Sequence, residues 1–335
     1  MRALTDSGKV DPNLLLCYRG WDNPKNYINQ KFRTTFIRPD DYYKLNNVIE
    51  YIVNYHDIEI VQFYSSEGVL NLAPRLKKIG VKTIFEVQNI DHVLYERLGN
   101  DKKQIKKIKE LQEKALSICD YVLCRSEIDK QLAIELGANP KAIDIYKGGI
   151  YVEDFTFQKR IQSRFKLVFL GHLFYPPNEN AVKIMVEQIL PKLPSNYTIT
   201  IIGIGPEDLI EKYQSDRIIF KGGVDNLSQE LLSYDIAIVP LFAGSGTRLK
   251  VLDCLASGLP ILSTNLGIEG LDPEIKKYIF TEDDISKYVE KIEFINNNLS
   301  EIQDMSVKGR KFVKEKYDWS NNLEPFLKAY KLLNI

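Results

Sequence analysis

The chain has 335 residues, with 45 acidic and 45 basic side chains that cancel to no net charge. A balance this even gives no overall field that would draw the protein to nucleic acid or a charged membrane. No apolar stretch reaches the ~20 residues of a bilayer span, and the length admits two domains with separate cores. The four cysteines, Cys17, Cys119, Cys124 and Cys254, have neither metal-ligand nor redox spacing. With no signal-peptide pattern at the amino terminus, a cytoplasmic location is expected.

In chain order, strand-like runs alternate with helical patterns, as in parallel sheets covered by helices. The strands expected in the first half are Leu14 to Tyr18, Phe32 to Ile37, Glu59 to Phe63, Lys82 to Val87, Asp120 to Cys124 and Ala142 to Tyr146. Helical patterns fill 41–55, 66–78, 101–117 and 126–136. Residues 147–155 and the polar run to Arg164 read as a linker. The pattern restarts with Leu167 to Gly171, and Pro176-Pro177-Asn178 opens a helix running to about Leu190. Strands follow at Thr198 to Gly203, Ile218 to Phe220, Asp235 to Pro240, Leu259 to Thr264 and Tyr278 to Phe280, then helices at 282–298, 300–316 and 320–334. The fold class is α/β: two Rossmann-like, doubly wound domains facing a cleft.

The run from Pro240 to Pro260 is the most informative. An apolar strand, Ile236 to Val239, leads into a loop holding Gly244, Ser245, Gly246 and Thr247, and a helix is expected from about Thr247 to Ser257. A glycine-bearing strand-to-helix turn presents bare backbone amides, and the helix dipole adds partial positive charge. Arg248 and Lys250 fall in the expected first turn, where acids are the ordinary choice. An anion, most simply phosphate, is the expected guest. The competing reading is that both cations are solvated or pair with local carboxylates.

The second half resembles the carboxy-terminal domain of retaining glycosyltransferases of the GT-B fold, glycosyltransferase family 4 (group 1). The resemblance rests on Leu170-Gly171 with Pro177-Asn178, Ile202-Gly-Ile-Gly-Pro206, Phe220-Lys-Gly-Gly-Val224 and the run from Pro240 to Gly270. The first half is similar, more loosely, to the same family's acceptor-side domain. This implies a domain at 1–155, a donor domain at 165–316, and a tail at 317–335 crossing back to the first domain. The family opens with a strand and glycine-rich loop that have no counterpart before Val10, so the first domain is expected to lack its first strand, through either a truncated or misassigned start or loss of that loop.

By resemblance, Arg248 and Lys250 grip the diphosphate of a nucleoside-diphosphate sugar as leaving-group charge grows. Asp253 stands where the family's second motif acid accepts from the ribose, and Ser245 replaces the first acid, which normally touches the sugar. Gly203, Gly205, Gly223 and Val224 line the base slot, with Gly244, Gly246, Thr247, Glu269 and His172 also on the donor side. Gln88, Asn89 and His92 fall on the acceptor side, where many relatives carry a histidine. His56 reads as structural or solvated.

The implied reaction is retaining, hexosyl-type transfer to an acceptor hydroxyl in glycan biosynthesis. It needs no cofactor beyond the donor and no metal. The acceptor is a glycan or a lipid-linked glycan. Residues 102–114 carry six lysines and two glutamates around Ile105, Ile108 and Leu111; this stretch reads first as a solvated helix and secondly as a peripheral membrane contact. A nucleotide-sugar epimerase, or a non-catalytic nucleotide-sugar-binding partner subunit, would use the same phosphate grip.

Overall fold

A computed structural model describes residues 13–17, 33–37, 49–51, 53–55, 57–161 and 163–333. Residues 1–10, on which the expectation of a missing first strand rests, lie outside the described residues, as does His56. The chain divides into two units. One holds the described residues up to Gln88, Lys106–Tyr146, and those from Leu323 onward; the other holds Asn89–Ile105 and Lys147–Asn322.

The first unit carries a parallel sheet in the order β3 (Ile60–Phe63), β4 (Lys82–Val87), β5 (Tyr121–Cys124) and β6 (Ile143–Ile145). Strands β1 (Asn13–Cys17) and β2 (Arg33–Ile37) form a separate parallel pair. Helix α1 (Ser66–Lys78) follows β3 and starts where the Ser65 side chain accepts from the Gly68 amide at 3.1 Å. Its Val69, Leu72, Ala73 and Leu76 recur at helical spacing and are buried, so one apolar stripe covers the sheet. Helices α2 (Asp91–Arg97), α3 (Lys102–Ile118) and α4 (Glu127–Glu135) follow, the last capped by Ser126. The lysines of α3 are exposed, while Ile105, Ile108 and Leu111 are half-buried. Among the described residues no helix is long and apolar enough to cross a membrane.

The second unit is a six-stranded parallel sheet. Its strands are β7 (Lys166–Leu170), β8 (Thr198–Ile202), β9 (Ile218–Gly222), β10 (Ile236–Val239), β11 (Ile261–Ser263) and β12 (Phe280–Thr281). The spatial order is β12-β11-β10-β7-β8-β9. The chain lays β8 and β9 to one side of β7, then returns to place β10 on its other side. The order therefore reverses between β7 and β10. Strands β7, β8, β10 and β11 are buried almost throughout, because helices cover both faces. These helices include α5 (Pro176–Ile184), α6 (Glu207–Tyr213), α7 (Leu227–Leu231), α8 (Leu249–Ala256), α9 (Tyr288–Asn297) and α10 (Gln303–Tyr317).

Several elements differ from expectation. Helix α8 begins at Leu249, two residues late, because Arg248 occupies the cap position with φ −89° and ψ 77°. Residues 147–161 and 163–164 do not behave as a polar linker. Arg160 is 2% exposed and donates to the carbonyls of Leu231 at 2.8 Å and Tyr234 at 3.3 Å. Arg164 pairs with buried Asp235. The tail is divided: Trp319 donates its amide to Ile150 at 3.1 Å within the second unit. Helix α11 (Glu324–Leu332) packs in the first unit, where Lys328 meets Asp144 at 2.6 Å.

Candidate active site

In open parallel α/β sheets, ligands bind beyond the carboxyl ends of the strands, where the strand order reverses. Here the loops leaving β7 and β10 part at that place. The β7 loop carries Gly171 and His172 into α5, and the β10 loop carries Pro240 to Arg248 into α8.

The β10 loop is held by its carbonyls. Arg248 is buried at 6% exposure; its guanidinium donates to the Ser245 carbonyl and, at 3.0 Å, to that of Gly246. Arg97, the last residue of α2, donates to the Gly244 carbonyl at 2.6 Å. In a planar trans peptide the carbonyl points opposite to the following N–H. Turning the Ser245 and Gly246 carbonyls onto Arg248 therefore turns the Gly246 and Thr247 amides the other way. Neither amide donates to another group among the described residues. Burial raises the pKa of the Tyr175 hydroxyl. Two successive amides turned the same way can form a concave anion receptor.

Glycine is needed here for conformation. Gly244 and Gly246 hold φ of 131° and 76°. A Cβ on Gly244 would also sit 2.6 Å from an Arg248 nitrogen.

Lys250 lies in the first turn of α8, as expected, and its partner is not a carboxylate. Its ammonium donates to Asn178 Oδ1 at 2.7 Å and stands 4.1 Å from the Phe169 ring centroid. Asn178, in the first turn of α5, donates in turn to the His172 carbonyl at 2.9 Å. Burial, then the nearby Arg248 charge, pushes the Lys250 ammonium down to about 7. Asp253, one turn along α8, is half-buried and makes no side-chain hydrogen bond or ion pair among the described residues. Burial raises its carboxyl to about 7.

The remaining donor-side candidates gather at the same end of the sheet. Gly203 follows β8 with φ 147°, and a Cβ there would lie 1.9 Å from the Gly171 carbonyl oxygen. Gly205 abuts Leu173, exposed Gly223 follows β9, and Val224 packs against the core. His172 is half-buried beside Phe174, 5.4 Å between ring centroids. Glu269 follows β11 and takes both Arg97 nitrogens, at 2.7 and 2.9 Å.

The acceptor-side candidates do not fall together: Gln88 belongs to the first unit, Asn89 and His92 to the second. Gln88 is part of a polar cluster at the ends of β3, β4 and β5 that pattern reading missed. It donates to Glu86 at 2.9 Å and to Tyr146 at 3.2 Å, and accepts from Arg125. Glu86 is 4% exposed and also accepts from Gln62 and Tyr146. A charged residue, Glu86, among the apolar Ile84, Phe85 and Val87 of β4 was the available signal. Arg97 and Asn178 were likewise unassigned. Among the described residues no cluster of three or more His, Cys, Asp or Glu side chains could hold a metal.

Residues 164–298 match the family model described as glycosyl transferases group 1. An uncharacterized 44.6 kDa protein in the cps region of Klebsiella pneumoniae is 24% identical over 291 residues, covering 82% of this chain and 72% of that protein. The crystal structure of Anabaena HepE in complex with UDP and glucose superposes with a TM-score of 0.75 at 10% identity, over 95% of this chain and 91% of that one. WaaG, a glycosyltransferase involved in lipopolysaccharide biosynthesis, superposes with a TM-score of 0.68 at 12% identity, over 98% and 94%. At these identities the likeness establishes the fold, which is of the GT-B class.

Proposed function

We propose that the protein is a glycosyltransferase that moves a hexosyl group from a nucleoside-diphosphate sugar to an acceptor hydroxyl with retained configuration. The observation that carries this reading is the turning of the Ser245 and Gly246 carbonyls onto Arg248, which directs the Gly246 and Thr247 amides away from it, with Lys250 at the mouth of the same helix. The group 1 match over this unit supports it, as does the fold shared with a protein crystallised with UDP and glucose. The relative from a cps region favours a glycan or lipid-linked glycan as acceptor.

As the glycosidic bond breaks, positive charge develops on the sugar and negative charge on the departing diphosphate. The two amides are already oriented, and Lys250 can leave the neutral Asn178 amide for an incoming phosphate. This is electrostatic stabilisation with little reorganisation. A phosphate beside Lys250 restores its full charge, because an adjacent anion favours the protonated form. Asp253 supplies a carboxylate free to accept from ribose hydroxyls, and the glycines after β8 and β9 leave room for a flat base. With Ser245 in place of an acid, the sugar is met by a hydroxyl. The leaving phosphate itself takes the acceptor proton, so no second carboxylate is required.

The test is incubation with UDP- and GDP-hexoses while nucleoside diphosphate release is followed, with NMR of the anomeric proton in any transferred product. Release with retained configuration is expected. Binding of no nucleoside diphosphate, or an inverted product, would refute the reading.

A further inference from the structure

We propose that Arg97 is a positioning residue for the diphosphate site: it holds the glycine loop in its anion-receiving shape without touching the donor. The proposal rests on the functional reading above and adds to it a residue from the first half of the sequence.

Arg97 ends α2, within the stretch Asn89–Ile105 that belongs to the second unit although β4 and α4, on either side of it in sequence, belong to the first. Its guanidinium joins two segments far away along the chain. One nitrogen reaches the Gly244 carbonyl at 2.6 Å and Glu269 at 2.7 Å; the other reaches Glu269 at 2.9 Å. A fork on a carboxylate fixes the guanidinium plane as well as its position. The Gly244 carbonyl is therefore met by a donor that cannot swing away.

The second clamp is Arg248, which holds the next two carbonyls. Three successive loop carbonyls thus lie on two guanidinium groups, and the direction of the amides follows from that. The turn bearing Glu269 presses on the same loop, since a Cβ on Gly270 would stand 3.1 Å from the Gly246 carbonyl oxygen. Glu269 is thereby given a role: it orients Arg97. Without Arg97, two glycines at positive φ leave the Gly244 end of the loop several alternative conformations. Binding would then have to select one of them.

The test is calorimetric titration of inorganic pyrophosphate and UDP into wild type, Arg97→Ala, Arg97→Lys and Glu269→Gln, with melting temperatures for each. Losing a charge-assisted fork predicts pyrophosphate and UDP affinities about 10–100-fold weaker in Arg97→Ala. Uridine affinity, read by saturation-transfer NMR, stays within twofold. Arg97→Lys remains weakened because a point charge cannot make the fork. Added guanidinium restores pyrophosphate binding to Arg97→Ala and not to Arg97→Lys, an outcome that a general loss of stability would not produce. If Arg97→Ala does not fold, Glu269→Gln and Arg97→Lys carry the test by the same selective loss of pyrophosphate over uridine. Wild type that binds pyrophosphate, with folded Arg97 variants binding within twofold of it, overturns the proposal and leaves the functional reading standing. Wild type that binds neither pyrophosphate nor UDP overturns both.

Discussion

Lys250 and Asn178 meet at 2.7 Å across the reversal in strand order, joining the first turn of α8 to the first turn of α5. The cation rests on a neutral amide that a phosphate can displace. Asn178→Asp would replace that amide with a carboxylate, and phosphate would then compete with a fixed anion. A roughly 10-fold or greater loss of UDP affinity is expected in calorimetry, since a charge-assisted bond exceeds a neutral one by about 1–2 kcal/mol.

Arg248 and Lys250 act differently, and their variants should separate. Lys250→Ala removes the charge at the helix mouth; kcat is expected to fall by about 100- to 1000-fold. Arg248→Lys keeps a charge and cannot hold two carbonyls at once, so it should behave much as Arg248→Ala does. Near-normal turnover in Lys250→Ala, or full activity in Arg248→Lys, would contradict this division.

The strands were legible in the sequence because each is a short apolar run between turn residues. The placement of β7 beside β10 has no local signal, since no single segment states which strands are neighbours. The expected helix start at Thr247 was wrong by two residues. Arg248 makes a local commitment, to the carbonyls of Ser245 and Gly246 just before it, that overrides its helical propensity. Arg97 could not be found by pattern at all: its partners Gly244 and Glu269 lie 147 and 172 residues away. The glycine-rich loop could be read because its chemistry is local.

The acid and the amine on α8 make stability depend on pH in opposite directions. Asp253 is raised toward 7, so the native state holds its proton more tightly than the unfolded chain does, and stability falls as pH rises from about 4 to 7. Lys250 is lowered toward 7, so the native state releases its proton first, and stability rises from about pH 7 to 10. Asp253→Asn should therefore raise Tm at pH 8, by about 2–4 °C for a gain near 1 kcal/mol, and weaken UDP binding. A lower Tm at pH 8 in this variant would show that the carboxylate has a stabilising partner.

The contact between β7 and β8 ends at Gly203 and Gly171. Gly203→Ala places a methyl where the Gly171 carbonyl already lies and strains a φ of 147°. A destabilisation of about 2–4 kcal/mol is expected from chemical denaturation. A change under 1 kcal/mol would mean that the strand ends are not packed this closely.

The central claim is that the Gly246 and Thr247 amides and the Lys250 ammonium receive a diphosphate. A crystal structure of the protein with UDP tests it most directly. The account predicts a phosphate group within hydrogen-bond distance of both amides, with Lys250 moved off Asn178 onto it. UDP bound away from the β10 loop, or bound there with Lys250 still on Asn178 and the amides unused, would contradict it.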